Sequence, residues 1–315
     1  MTLTPSVRAG SAPPSPQEDL QEVADGVFAA VAEGGGWCVS NAGLIVGEGR
    51  SVLVDTAATA RRARRLRGAV GRVVGGVPDV LVNTHHHGDH VFGNAAFAPG
   101  SVVVAHERTR QEMAEAGFGL RTLWPDVDWG EDPLVLPDVT FADRLTLWAG
   151  ELRVELIHVG PAHTTNDVVV WVPDRKVLLA GDVAMSGVTP YCLMGSVSGS
   201  LTALDRLAGL GATTVVCGHG PVGGPEILAG TARYLRWVEG LAREGAAAGL
   251  GALEIARAAD LGEFADLVDP ERLVGNLHRA LADQADPHRP GRPLDVGASF
   301  REMVAFHGGL PDCHA

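Results

Sequence analysis

Lysine is almost missing from this chain. Of its 25 basic residues one, Lys176, is a lysine, and the rest are arginines. Against 38 acidic residues they leave a formal charge of −13. Phosphate backbones are held by a basic footprint, so nucleic acid is disfavoured as the main partner. Cysteine is scarce too: Cys38, Cys192, Cys217 and Cys313 have no paired spacing. That excludes a disulfide framework and reads as reduced thiols in a cytoplasmic protein. No apolar run approaches the roughly 20 residues of a membrane span. Residues 1–16 lack the apolar core and cleavage site of a signal peptide. The expectation is therefore a cytoplasmic protein with no membrane partner. There is no internal repeat, no Ser-His-Asp motif and no phosphate loop to supply a competing chemistry. What is present suffices for a sizeable core: 315 residues, 46% of them hydrophobic, enough for one large or two small domains.

The chemistry concentrates in one stretch, Asn83 to His90, which reads Asn-Thr-His-His-His-Gly-Asp-His. The apolar run 79–83 leads into it. A short strand emptying into a loop presents alternate side chains on one side, so His85 and His87 can point at one metal. Asp89 and His90, beyond a flexible Gly88, can turn toward a second. Imidazole with carboxylate suits zinc better than iron or manganese. A histidine-rich surface loop would carry the same residues, but further donors follow downstream. His163 lies in Gly160-Pro-Ala-His-Thr-Thr, Asp182 ends an apolar run that starts at Leu178, and His219 follows Val215-Val-Cys-Gly.

The motif His85-x-His87-x-Asp89-His90 resembles the signature of the metallo-β-lactamase superfamily. The later ligands of that superfamily have matches here in order at His163, Asp182 and His219. Asp55, closing Ser51-Val-Leu-Val-Asp, resembles the acidic residue that supports the site from behind the ligands. The likeness covers about residues 26–221. It implies an α/β (α+β) fold, an αββα sandwich, here with appended C-terminal helices. It also implies two zinc ions per chain. His85, His87 and His163 would bind the first, and Asp89, His90 and His219 the second. Asp182 would bridge them, with Asp89 and Asp182 as the catalytic carboxylates.

Along the chain, residues 1–20 are rich in Pro, Ser, Thr and Ala and read as a flexible arm. Residues 21–223 form the catalytic domain. Its first sheet starts as a meander of apolar runs at 27–31, 37–46 and 51–55, with glycine turns between them. Residues 59–70 are helical, with Thr59 as N-cap and Ala63, Leu66 and Val70 on one face. Arg61, Arg64 and Arg65 lie opposite, either as a solvated face or as a docking patch for an acidic partner. After a strand at 102–105, a helix is expected over 106–115. His106 is expected to pack in the core or at the surface, not to bind metal. Residues 118–137 are irregular and hold Trp124 and Trp129, which read as exposed aromatics of a lid over an apolar pocket or as a self-packed loop. Four strands follow at 145–148, 152–157, 167–172 and 176–180. Residues 183–199 would line the site's mouth. There Tyr191 could donate to a substrate oxyanion and Met194 could touch substrate. Cys217 is expected to be a buried apolar residue, not a ligand. A helix at 201–210 and a strand at 213–217 complete this part. Helices at 227–244, 252–259 and 269–283 pack on the same domain (224–285), and 286–315 is expected to be a loosely held tail.

The chemistry implied by the resemblance is attack on an activated acyl bond, or stabilisation of an enolate. Asp182 departs from the cysteine of one group of true β-lactamases, and Lys176 lies in a turn, so antibiotic hydrolysis is disfavoured. A glyoxalase II-like thioesterase fits the ligand set and the helical C-terminus. A narrower likeness lies in Gly35-Gly-Trp-Cys-Val-Ser-Asn-Ala-Gly, Trp124-Pro-Asp-Val-Asp-Trp-Gly, His163-Thr-Thr-Asn-Asp and Leu193-Met-Gly-Ser-Val-Ser-Gly-Ser. These are similar to the cyclase/thioesterases of bacterial aromatic polyketide pathways. That implies a polyketide thioester, free or bound to an acyl carrier protein, as substrate and partner. A metal-binding partner subunit is the non-enzymatic alternative, and a homo-oligomer is compatible with either.

Overall fold

A computed structural model describes residues 20–315. The arm expected at 1–20 lies outside the described residues, apart from Leu20. Two sheets face each other. The first has seven strands in chain order: β1 (Gln21–Ala24), β2 (Val27–Ala30), β3 (Ala42–Gly47), β4 (Arg50–Val54), β5 (Val80–Val82), β6 (Val102–His106) and β7 (Val139–Phe141). It is antiparallel to β4 and parallel beyond. The second sheet has the order β12-β11-β10-β9-β8. Its strands are β8 (Arg144–Ala149), β9 (Leu152–His158), β10 (Val168–Val172), β11 (Val177–Met185) and β12 (Thr214–His219).

Strand alternation explains the layers. Val52 and Val54 of β4 face inward, as do Val168, Val170 and Val172 of β10, and together they fill the space between the sheets. Leu53 and Leu44 face the other way, onto α1 (Ala60–Val74) through Ala63, Leu66 and Val70. Val169 and Trp171 face outward on the second sheet. They pack with α4 (Val197–Ala208), α5 (Glu226–Ala247), α6 (Ala252–Ala258) and α7 (Arg272–Ala285). This is the αββα order the resemblance implied. Gly43 marks one close approach of the sheets, since a Cβ there would lie 1.9 Å from a Leu179 methyl.

Thr59 caps α1 by accepting from the Arg62 N–H, and Gly75 ends the helix in a left-handed turn, one turn past the expected end. Several expectations change. Strands β1 and β7 were not foreseen, and residues 37–41, expected in a strand, lie outside β3. Gly88 is not a loop hinge: it opens a short helix, α2 (Gly88–Val91). Residues 183–185 extend β11, so less of that stretch is irregular than expected. The tail is not loosely held either, because it contains α8 (Val296–His307), whose Phe300 and Met303 are buried. Among the described residues no helix is long and apolar enough to cross a membrane.

Candidate metal centre

All seven expected donors converge where strands end. His85 follows β5, and His87, Asp89 and His90 come from α2 and its entry. His163 lies between β9 and β10, Asp182 on β11, and His219 ends β12. They fall into two groups, His85, His87, His163 and Asp182 in one and Asp89, His90 and His219 in the other. Within each group the donor atoms lie inside 4.8 Å of one another. Asp182 joins the groups: Oδ2 is 3.4 Å from His163 Nε2 and 3.2 Å from His219 Nε2, while Oδ1 is 3.2 Å from His90 Nε2. Gly218 gives that carboxylate its room, since a Cβ there would sit 1.8 Å from Asp182 Oδ1.

Backing groups aim the imidazoles. Asp55 Oδ2 lies 2.9 Å from His90 Nδ1, while its two oxygens accept from the Thr84 N–H and hydroxyl. The ring proton is therefore placed at Nδ1 and the Nε2 lone pair is turned to the centre. His219 Nδ1 lies 2.9 Å from Gly35 O, and His163 Nδ1 hydrogen-bonds Tyr191 O. At the centre, four buried polar atoms have no hydrogen-bond partner among the described residues: Nε2 of His85, His87 and His90, and Asp182 Oδ1. Orphaned buried donors and acceptors are costly, and four converging ones fit bound cations. The donor set thus fits two metal ions held as the resemblance implied.

The electrostatics agree. Burial pushes His85 and His87 well below the ordinary histidine range and His163 to about 4. All three are therefore neutral, the form that binds metal. Burial acts the same way on His90 and His219, but Asp182 and neighbouring carboxylates outweigh it, raising His90 well above its usual value and His219 to about 9. Burial opposes ionisation of Asp182 and Asp89 too. For Asp182 the pull of His219, His90 and His163 prevails, and for Asp89 that of His90 and His219, so both carboxyls are lowered. The centre is a pair of ionised carboxylates that draw positive charge. Divalent cations supply that charge with every histidine neutral.

The family model of the metallo-beta-lactamase superfamily matches residues 35–219, the span that carries all seven donors. The chain belongs to the metallo-beta-lactamase superfamily. It is 27% identical over 180 residues to hydroxyacylglutathione hydrolases from Brucella ovis and Brucella abortus. That match covers 57% of this chain and 62% of each relative, less than two thirds of their length. Among solved structures, a metallo-beta-lactamase from Pontibacter korlensis superposes with a TM-score of 0.59 at 24% identity, over 69% of this chain and 98% of that one. One from Erythrobacter litoralis gives 0.56 at 21%, over 69% and 95%. These two share the fold.

In this superfamily member a pocket of about 360 Å³ opens onto the donors. Tyr191 and Met194 line it, as expected. Trp124 and Trp129 do not. They are only 4% and 7% exposed, and the Trp124 indole N–H donates to Pro311 O across 2.7 Å. Residues 118–123 reach the pocket through Leu120 and Leu123 instead, and α8 adds Val296 and Phe300. His106 is no ligand: it is buried and stacks on His158 at 3.9 Å. Cys217 is likewise buried and points its thiol at the His219, Gly220 and Pro221 carbonyls. Sequence reasoning missed Asp167 as an organiser. Its carboxylate accepts from the N–H groups of Ala162 and Thr164 and from the Thr164 hydroxyl, shaping the loop that carries His163. Burial lifts that carboxyl to about 7. Its appearance within His163-Thr-Thr-Asn-Asp was the available signal.

Proposed function

We propose that the chain is a binuclear metallohydrolase of acyl thioesters. Its preferred substrate is a partly cyclised aromatic polyketide on an acyl carrier protein, which it closes at a second ring and releases as the free acid. Zinc is the proposed metal, with His85, His87 and His163 on one ion, Asp89, His90 and His219 on the other, and Asp182 on both. When bound, such ions act as Lewis acids that polarise a carbonyl and acidify water. The observation that carries this reading is the pocket, whose lining combines ligand side chains with Phe92, Leu120, Leu123, Met194 and Phe300. A bulky, flat acyl group suits such a lining better than a charged peptide.

The chain's own residues then have defined tasks. Burial holds the Tyr191 hydroxyl protonated, well above the usual tyrosine range, so it is a hydrogen-bond donor beside His163. Its proposed task is to stabilise an acyl oxygen as charge develops there. Asp89 and Asp182 keep the centre ionised and are the carboxylates open to a proton released during attack. Ring closure and thioester cleavage both develop charge on a carbonyl oxygen, so one site serves both.

A second reading is favoured by the relatives named hydroxyacylglutathione hydrolase. Against it, the arginine on the pocket wall, Arg272, is already paired with Asp269 at 2.8 Å and stacked on Trp37. The carboxylates of glutathione would compete with Asp269 for it.

The deciding assay offers the purified protein a mimic with one closed ring and a thioester tail, beside lactoylglutathione. A bicyclic free acid formed only with metal and enzyme is the expected product by mass spectrometry and NMR. Efficient cleavage of lactoylglutathione with the mimic untouched would replace the polyketide reading with the second one. A protein that hydrolyses neither and still binds metal would favour a metal-binding partner subunit.

A further inference from the structure

We infer that the first half of helix α7, outside the span matched to the superfamily, is a brace for both ligand groups. Through Glu271, Arg272 and Asn276 it fixes the two backbone carbonyls that orient His163 and His219. The inference rests on reading the two groups as metal sites.

The need for a brace follows from where these two histidines sit. His85 and His90 are steadied locally, by Thr84 and Asp55. His163 lies in a loop between strands, and His219 is the last residue of β12, followed by Gly220 in a left-handed turn. No sheet ladder fixes the acceptors of their outer nitrogens. Those acceptors, Tyr191 O and Gly35 O, belong to two irregular segments, 186–196 and 31–41. An imidazole turns with the carbonyl it donates to, so both segments must be held.

Helix α7 holds both. Asn276, fully buried, spans the two sides of Tyr191: its Oδ1 accepts from the Cys192 N–H at 2.9 Å and its Nδ2 donates to Pro190 O at 2.6 Å. Glu271 Oε1 accepts from the Trp37 indole N–H at 2.5 Å, two residues beyond Gly35. Arg272 joins the segments. Its guanidinium lies 4.3 Å over the Trp37 ring and donates to Thr189 O at 3.3 Å. Glu271 and Arg272 are 1% and 2% exposed. Charges taken so far from water are weak evidence of stabilisation, and apolar residues would pack a helix as well. Their partners are what single them out. Gly35 has little freedom of its own, since it is left-handed and a Cβ there would sit 2.7 Å from Gly220 N.

The test titrates metal-free protein with cobalt(II), reading its visible absorption against a competing chelator. His163→Ala and His219→Ala proteins give the reference spectra for each damaged group. Wild type is expected to take two equivalents. Asn276→Ala should weaken the His163 group by about 10–100-fold and spare the other, the usual effect of losing a partner behind a ligand. Trp37→Phe, which keeps a ring and removes only the N–H, should weaken the His219 group alone. Glu271→Ala should match it, while Glu271→Gln, which keeps an acceptor, should restore wild-type binding. Arg272→Met should weaken both. Folded Asn276→Ala and Trp37→Phe proteins with wild-type affinities and spectra overturn the brace. So does equal weakening of both groups by Asn276→Ala, which would mark a general packing role. If Asn276→Ala does not fold, Trp37→Phe and the Glu271 pair decide the matter. Wild type that takes up no metal overturns the metal-site reading itself, a result distinct from wild type that takes two ions alongside unchanged variants.

Discussion

Asp55 has a φ of 62°, a left-handed backbone unusual for any residue but glycine. The strained turn lets one carboxylate reach both Thr84 and His90. Strain held in place by such contacts is common at functional sites. His85, His87, Asp89 and His90 were legible from local spacing, Asp182 and His219 because each follows an apolar run, and His163 through the family likeness. Asp55 was legible only through the family likeness. Two residue-scale predictions follow from the pocket. Tyr191→Phe removes one donor to a developing oxyanion, so kcat on a thioester should fall about 10²-fold with KM little changed. An unchanged kcat would remove that role. Trp124→Ala should act through stability instead. Truncating a buried tryptophan costs about 3–5 kcal/mol, so a large drop in denaturation midpoint is expected. A stable Trp124→Ala protein with a raised KM would return Trp124 to the substrate pocket.

Helices and strands with a strong period were readable. Every expected helix from α1 onward exists, because each packs on a sheet or on neighbouring helices. Each of the two readings of 118–137 holds in part: Leu120 and Leu123 reach the pocket, and the Trp129 N–H donates within the segment to Trp124 O. Trp124 finds its partners far away in sequence: it lies 5.7 Å from both Trp37 and Phe300, and its N–H meets Pro311. No local pattern reveals such contacts. The same reason hid α8, whose apolar residues look sparse until Trp37 and Trp124 stand beside Phe300. Helix α1 leaves Arg61, Arg64 and Arg65 exposed, while Arg62 turns back to the His314 carbonyl. An acidic carrier would be steered by that face. Reversing the three exposed charges should raise KM for a carrier-bound thioester about ten-fold or more at low salt and leave a small thioester unaffected. Equal effects on both substrates would leave the face as a solvated one.

At the scale of the whole molecule, the centre joins both sheets, with Asp55 and His85 behind the first and Asp182 and His219 on the second. Metal bound there ties the halves together. Removing it with a chelator should lower thermal stability. A ligand present at about 1,000 times its Kd contributes about 4 kcal/mol, which for a chain this long corresponds to a melting shift of roughly 8 °C. Identical melting curves with and without metal would mean the donors hold no ion in solution.

The order of the chain adds a consequence for its birth. All seven donors precede residue 220, whereas the brace on α7 and the wall on α8 come afterwards. Synthesis runs from the N-terminus. All the donors are therefore made before the helices that brace and cover them. In the finished fold Phe300 lines the pocket beside the donors. Ions met before those helices dock would reach the donors without passing that apolar lining.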